Sequence, residues 1–452
     1  MITSLYQSLC NMETNIADRV ALRWYDEKKQ GVAEVHYAQY AQDLRRFVAF
    51  LRAEYGDVRG KRVAILARNS YQYVICMYGT VIAGAVAVPL NLGKDWDAIS
   101  YELGLTEPVC ILQDGEFAER EPALAETYGS ILKPMDVFAA YEPAEDVTEV
   151  EDLSALAFIM FTSGTTGRSK GVMLSQKNLF SAMPAFLDPF DDVKKYTGWN
   201  TDEFSSLSAL PMFHISAMTS LVSWSITGHS INLCNNLKYF YRDLGAMHSE
   251  VMAVVPVLLK SIYSDVMKGR RDRLNGLCVL TCGDGAWNSS QEAKYLTSVG
   301  HVDLSCEYKL DDGELCMRGD PIMLGYYKDP EGTAEVIDAD GWFHTGDIAR
   351  VEEDGYMYLT GRKKNVIILD SGENVSPEEL EKLLVPCADI QECIVKEKDK
   401  KICALIYCDP AKQDAVKEFV TGVNRGLPLY KRMVTEFSAQ PLPRNAMGKL
   451  LR

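Results

Sequence analysis

The sequence predicts an α/β fold: a large N-terminal domain of doubly wound sheets carrying a small β-rich subdomain, followed by a small α+β domain. Three observations predict it. Helical and strand patterns alternate over roughly the first 150 residues, and such alternation implies a mostly parallel, doubly wound sheet. From Val302 the side chains alternate between apolar and polar, then turn at Asp312-Gly313 as a hairpin does. Ser376-Pro377-Glu378-Glu379 opens a helix in a separate C-terminal segment. At 452 residues the chain exceeds one ordinary core. The expected domains are 1–362, with the β-rich part at about 300–362, and 363–452.

In chain order, a helix is expected over Tyr37 to Tyr55, a strand over Arg62 to Ala67, a helix from Gln72 to near Ala83 and a strand over Ala85 to Leu90. The uncharged run Tyr73 to Leu90 reaches the length of a membrane helix, but Gly79, Gly84 and Pro89 interrupt it and split it into that helix and strand. The apolar run Ala155 to Phe161 reads as a buried strand, as does Val172-Met173-Leu174. Val302, Leu304, Cys306, Tyr308 and Leu310 share one face of a strand, with Asp303, Ser305, Glu307 and Lys309 on the other. A second hairpin turns at Asp354-Gly355, between Ile348 to Val351 and Tyr356 to Leu359. Ser376 as N-cap and Glu379 at the third helical position form a capping box for a helix ending at Leu384. Strands at Cys393 to Val395 and Ile402 to Tyr407 and a helix near Ala415 to Val423 complete the C-terminal unit.

The stretch that carries chemistry is Thr162-Ser163-Gly164-Thr165-Thr166-Gly167-Arg168-Ser169-Lys170-Gly171. Its glycines let backbone close around a ligand, its hydroxyls donate hydrogen bonds and its two cations supply charge, so it suits phosphate oxygens. A solvated turn would share the composition, but not the density of donors directly after a buried strand. The P-loop of nucleotide hydrolases needs Gly-Lys-Ser/Thr and then a helix; here Gly167 precedes Arg168 and a strand follows.

Phe161 to Gly171 resembles the phosphate-loop motif of the adenylate-forming enzymes: acyl-CoA synthetases, luciferases and peptide-synthetase adenylation domains. Asn69-Ser70 through Asn91 is also similar to that family's first subdomain. The resemblance implies an ATP-dependent, AMP-forming acid-thiol ligase that makes an acyl-adenylate and passes the acyl group to coenzyme A, with Mg²⁺ accompanying ATP. It assigns phosphate contacts to Thr162, Ser163, Gly164, Thr165, Thr166, Gly167 and Lys170. Gly341-Trp342-Phe343-His344-Thr345-Gly346-Asp347 and Arg362 match the ribose-binding residues, with Asp347 and Arg362 as the contacts. His214 in Leu210-Pro211-Met212-Phe213-His214 matches an acyl-pocket position, although a lone histidine there is also compatible with a packed core residue. Gly283, Asp284 and Gly285 match the turn beside the adenine pocket, Lys364 the pivot of a mobile C-terminal lid, and Gly372 the pantetheine tunnel. Lys449, in a terminal segment that otherwise reads as a solvated tail, matches the catalytic lysine that bridges the acid and the α-phosphate. Gly361-Arg362-Lys363-Lys364-Asn365-Val366-Ile367-Ile368 is similar to the fatty acyl-CoA synthetase branch, making a fatty acid the first expected substrate.

Composition agrees. With 47% hydrophobic and 24% charged residues the chain is globular, and a net charge of -16 repels nucleic acid and anionic membranes. Its small-molecule partners are ATP, a carboxylic acid and coenzyme A, with a homodimer left open. Twelve cysteines without a Cys-x-x-Cys pair suggest reduced thiols, and Met1 to Asn15 has no export-signal pattern, so a cytoplasmic protein is expected.

The sequence departs from the family at one place. No Tyr-Gly-x-Thr-Glu, the adenine and metal motif, occurs in it, and only Trp287 to Val299 separate the turn at Cys282 to Ala286 from the strand near Val302. Either the polypeptide carries a further segment after about Ala286, or the protein binds nucleotide without turnover. The first is preferred, because losing an internal strand would leave backbone groups unpaired. An intact mass of 50.5 kDa would defeat it. No Mg²⁺ ligand is assigned. A second enzyme reading is an adenylation protein that loads a separate carrier-protein thiol.

Overall fold

Local sequence chemistry sets the N-terminal elements. The helix Tyr37–Tyr55 buries Tyr37, Tyr40, Ala41, Leu44, Phe47, Val48 and Leu51, the stripe that 3.6-residue periodicity places on one side. The side chain of Ser70 accepts the Tyr73 amide and caps the helix Tyr71–Ile82, and the strand Val86–Pro89 follows. The long apolar run is therefore a buried helix and strand. Gly79 lets this helix meet its neighbour, since a Cβ there would stand 2.7 Å from Phe47 Cδ1. Among the described residues, no helix is long and apolar enough to cross a membrane.

The computed structural model describes residues 2–162, 168–184, 204–254, 256–274, 277, 279–281, 300–301, 306–353, 355–369, 374–444 and 450. The chain forms two compact units: Met1–Trp287 with Asp303–Glu307 and Arg318–Gly341, and Asn288–Val302 with Tyr308–Met317 and Trp342–Arg452.

The first unit holds two sheets. One has seven strands in the order Gly325–Tyr326, Lys170–Ser175, Leu156–Thr162, Val86–Pro89, Arg62–Leu66, Cys110–Gln113 and Leu132–Pro134. Its last five strands are parallel, and Lys170–Ser175 joins antiparallel to Leu156–Thr162. The other has six, in the order Val279–Thr281, Val251–Ala253, Ser205–Ser208, Ser230–Leu233, Val20–Asp26 and Gly31–His36, with only Gly31–His36 antiparallel. Mixed sheets in an α/β chain match the expected class.

In the second unit the β-rich strands Phe343–Val351 and Tyr356–Arg362 pair antiparallel and belong to a five-stranded sheet, whose edge hairpin is Cys306–Asp311 with Glu314–Gly319. Asp312 (φ 46°) and Gly313 (φ 79°) are both left-handed, as a two-residue turn that follows strand twist requires. The apolar face expected on the first hairpin strand does not serve as core. Tyr308 and Leu310 are 39% and 42% exposed, because this is an edge strand with no buried face; only Cys306 and Lys309, one from each side, are half-buried.

The C-terminal stretch has its own core of Val375, Leu380, Leu384, Val395, Ala404, Ile406, Val416 and Val420. The strands Ile390–Lys398, Lys401–Cys408 and Val434–Phe437 form one sheet, accompanied by the helices Pro377–Leu384 and Gln413–Arg425. Ser376 accepts the Glu379 amide as expected, but the reciprocal half of the capping box is replaced. The Glu379 carboxylate pairs with Lys431 Nζ at 2.8 Å, because an ammonium competes better for it than a cap amide.

Candidate active site

The two strands that flank the phosphate-loop sequence place its ends side by side. Thr162 and Lys170 are direct partners in the antiparallel pair, so the loop leaves and re-enters the sheet at one point. Gly171 lies against Ile159 and Phe161, where a Cβ would come within 2.9 Å of Ile159 Cγ2. The Lys170 ammonium stands 3.3 Å from Asp329 and 4.6 Å from the centre of the Tyr326 ring. Asp329 is held below the usual carboxylate range, first by the Gly332 amide and, against the opposing effect of burial, by Lys170. Ser163, Gly164, Thr165, Thr166 and Gly167 lie outside the described residues.

Behind the loop's second half is a buried group that the sequence reading missed. Glu102, on the helix Trp96–Thr106, is fully buried; its Oε1 accepts Ser169 Oγ at 2.6 Å and contacts Lys94 Nζ. Lys94 also stands over the Phe161 ring, 5.8 Å from its centre, and Arg168 over Tyr101 at 4.9 Å. A buried ion pair therefore fixes Ser169, directly before Lys170. The available signal was a carboxylate inside the apolar stripe Ile99, Leu103 and Thr106, where an unpaired charge is not tolerated.

The candidate ribose residues belong to the second unit. Asp347 and Arg362 are opposite each other in the strand pair, with Arg362 Nε 2.8 Å from Asp347 Oδ1. The strand bulges before Asp347: Cys316 faces His344 while Glu314 faces Ile348. Gly346 (φ 70°) makes that bulge, and its N–H donates to Glu314 Oε1 at 2.9 Å. Thr345 Oγ1 donates to the Leu315 carbonyl at 2.7 Å and accepts the Asp347 amide at 3.1 Å. Burial raises the Asp347 carboxyl above its ordinary value, Arg362 opposes this, and Glu314 and Glu378 add to it.

Lys364 is exposed on the short turn Lys363–Asn365. That turn is tied to the following helix by Asn365 Nδ2 donating to Glu378 Oε1 at 2.6 Å, and the strand before it by Ser376 Oγ donating to the Thr360 carbonyl at 2.9 Å. His214 is exposed at the N-terminus of the helix Ile215–Thr227, with its ring centre 4.5 Å from that of Phe213. Gly283, Asp284, Gly285, Gly372 and Lys449 lie outside the described residues, as do Val302, Asp303, Leu304, Ser305 and Asp354.

Comparison with known proteins bears on the family and the fold. Residues 12–308 match the family model described as AMP-binding enzyme. The chain is 27% identical over 480 positions to the long-chain-fatty-acid–CoA ligase FadD13 of Mycobacterium tuberculosis, covering 92% of this chain and 91% of that protein. Those 480 positions exceed the 452 residues here, so the relative carries residues without a counterpart in this sequence. The ATP-bound structure of MatB from Rhodopseudomonas palustris has the same fold, with TM-score 0.81 at 22% identity over 100% of this chain and 97% of that one. The o-succinylbenzoate coenzyme A synthetase of Bacillus subtilis, in complex with ATP and magnesium, superposes with TM-score 0.76 at 24% identity over 98% of each chain. This chain belongs to the AMP-binding family of adenylate-forming enzymes.

Proposed function

We propose that this protein is an ATP-dependent, AMP-forming acyl-CoA synthetase. The observation that carries the reading is the phosphate-loop sequence, closed by the adjacent strand positions Thr162 and Lys170, in a chain of the AMP-binding family. In the first step the acid's carboxylate oxygen attacks the α-phosphorus of ATP, and pyrophosphate leaves. In the second, the coenzyme A thiol attacks the acyl carbonyl, loses its proton and expels AMP.

The residues divide these tasks. Ser163, Thr165, Thr166 and Lys170 hold the departing pyrophosphate, with Lys170 exchanging its resting partner Asp329 for phosphate. Asp347 accepts ribose hydroxyls, and Arg362 keeps that carboxylate oriented. His214, Gly283, Asp284 and Gly285 line the acyl and adenine pocket. Lys449 supplies a compact ammonium to the charge that builds during adenylation. The lid 363–452 then pivots at Lys364 and turns Gly372 toward the pantetheine arm.

Magnesium would enter with ATP and neutralise phosphate charge. Of the two carboxylates that touch residues flanking the loop, Asp329 is committed to Lys170 and Gly332, and Glu102 is fully buried, with Oε1 held by Lys94 and Ser169 and Oε2 without a partner, so neither is assigned to it. A fatty acid is the first substrate to offer, supported by the FadD13 similarity. A cytosolic setting accords with the ten described cysteines, all free thiols.

The absence of Tyr-Gly-x-Thr-Glu favours one second reading, a nucleotide-binding relative without turnover. ATP–pyrophosphate exchange across a panel of carboxylic acids separates the two, since only an enzyme exchanges. Coenzyme A and carrier protein, offered as alternative acceptors, then identify the thiol. Lys449→Ala should cut acyl-adenylate formation by about 100-fold while leaving thiol transfer from supplied acyl-adenylate largely intact. An equal fall in both half-reactions would remove Lys449 from its role.

A further inference from the structure

One cluster in the second unit stands behind the turn that presents Asp347, where Glu314 Oε1 accepts the Gly346 amide, and its thiol and imidazole have no task in the proposed reaction. Cys316 and His344 are direct cross-strand partners, and Cys316 Sγ lies 3.4 Å from His344 Nδ1. Glu314, two residues before Cys316 on the same face, places Oε2 3.2 Å from that nitrogen. The Asp311 carboxylate reaches over from the hairpin's other strand, so that ligand atoms of Asp311, Cys316 and His344 all lie within 4.8 Å of one another. Cys316 is fully buried and Glu314 is 3% exposed, whereas Asp311 is exposed.

We propose that Asp311, Glu314, Cys316 and His344 form a zinc-binding site on this sheet face. Around tetrahedral zinc, ligand atoms at about 2.0–2.3 Å from the metal stand roughly 3.3–3.8 Å from each other. The Cys316–His344 separation of 3.4 Å lies in this range and the Glu314–His344 separation of 3.2 Å just below it; the exposed Asp311 side chain must turn inward, and Glu314, which stands outside the 4.8 Å group, must close on the other two ligands. Thiolate, imidazole and carboxylate together suit zinc better than magnesium or calcium, which take oxygen ligands. On binding, the Cys316 thiol gives its proton to solvent and its sulfur takes the metal.

The geometry also identifies a competitor. Lys363 Nζ sits 2.7 Å from Glu314 Oε2 and serves as counterion to that buried carboxylate, although the lysine side chain itself is 60% exposed. Zinc takes over this role and releases Lys363 to water. A hydrogen-bonded cluster that merely pins the hairpin makes no such exchange. The two therefore predict opposite results for removing the lysine.

The test uses the full chain, stripped of metal under reducing conditions and titrated with cobalt(II) as a spectroscopic stand-in and then with zinc. A thiolate-to-cobalt charge-transfer band should appear, zinc should abolish it, and zinc should raise Tm. Cys316→Ser should lose the band, while Cys387→Ser keeps it. Asp311→Asn, at an exposed position that leaves the core untouched, should weaken zinc about 10-fold or more. Lys363→Met should tighten it. No band in the wild type, a band that survives Cys316→Ser, or zinc affinity unmoved by both Asp311→Asn and Lys363→Met would overturn the site.

Discussion

The flank of the phosphate loop and the turn that presents Asp347 both hold charged groups in place, by opposite means. At the first, Glu102 is fully buried and Lys94 is 18% exposed, so the pair is out of water and locked by the packing of the helix Trp96–Thr106. At the second, Arg362 is 52% exposed beside a carboxylate at 19%, and backbone geometry does the positioning through the Gly346 bulge and Thr345. Each site is therefore vulnerable at a different point. A buried pair is rigid but fails when one member is removed, because the other charge is stranded. A half-exposed pair contributes little to folding and is free to change partners when a ligand arrives.

The largest effect should come from the buried side. Glu102→Ala strands Lys94 and frees Ser169, and should lower unfolding free energy by about 3 kcal/mol, measured by urea denaturation. Glu102→Gln, which keeps a hydrogen-bond acceptor for Ser169, should cost less. A Glu102→Ala protein as stable as the wild type would erase the contrast, since the pair would then behave as a surface pair does.

What the sequence made legible follows the range of the interactions. The helix Tyr37–Tyr55 and the hairpin turn at Asp312-Gly313 rest on periodicity and on left-handed turn residues, both local, and both appear where expected. The second hairpin turns near Gly355 (φ 84°) for the same reason. Partners brought together by topology were not legible. Lys170 meets Asp329 across the sheet edge, Ser169 meets Glu102 across 67 residues, and Cys316 meets His344 across 28. Alternation along Cys306–Asp311 identified a strand, but neither face is buried, because an edge strand need not turn its apolar residues inward. Glu379 was similarly legible as a cap residue but not as the partner of Lys431.

On the half-exposed side, Arg362→Ala should change unfolding free energy by less than about 1 kcal/mol, since solvent screens the pair. It should nonetheless raise KM for ATP about 10-fold, because Asp347 loses the group that orients it. Both quantities are measured on one preparation. A large loss of stability with unchanged KM would mean that the pair is structural and that ribose is held elsewhere.

The smallest effect is a pH dependence that separates binding from folding at Asp347. Burial raises this carboxyl above its ordinary value despite Arg362, so the folded chain holds the proton more tightly than the unfolded one does. As pH falls through the raised value, protonation slightly stabilises the fold; as pH rises through it, that increment is lost. Nucleotide affinity should move the other way, because the proton removes the carboxylate proposed to accept hydrogen bonds from the ribose hydroxyls. KM for ATP should therefore begin to climb, on acidification, at a higher pH than an unperturbed aspartate would set. Asp347→Asn should flatten that limb of the profile while raising KM throughout. If acidification weakened ATP binding equally in the wild type and in Asp347→Asn, the titrating group would lie outside this turn, and the half-exposed pair would keep its geometry but lose its assignment to ribose.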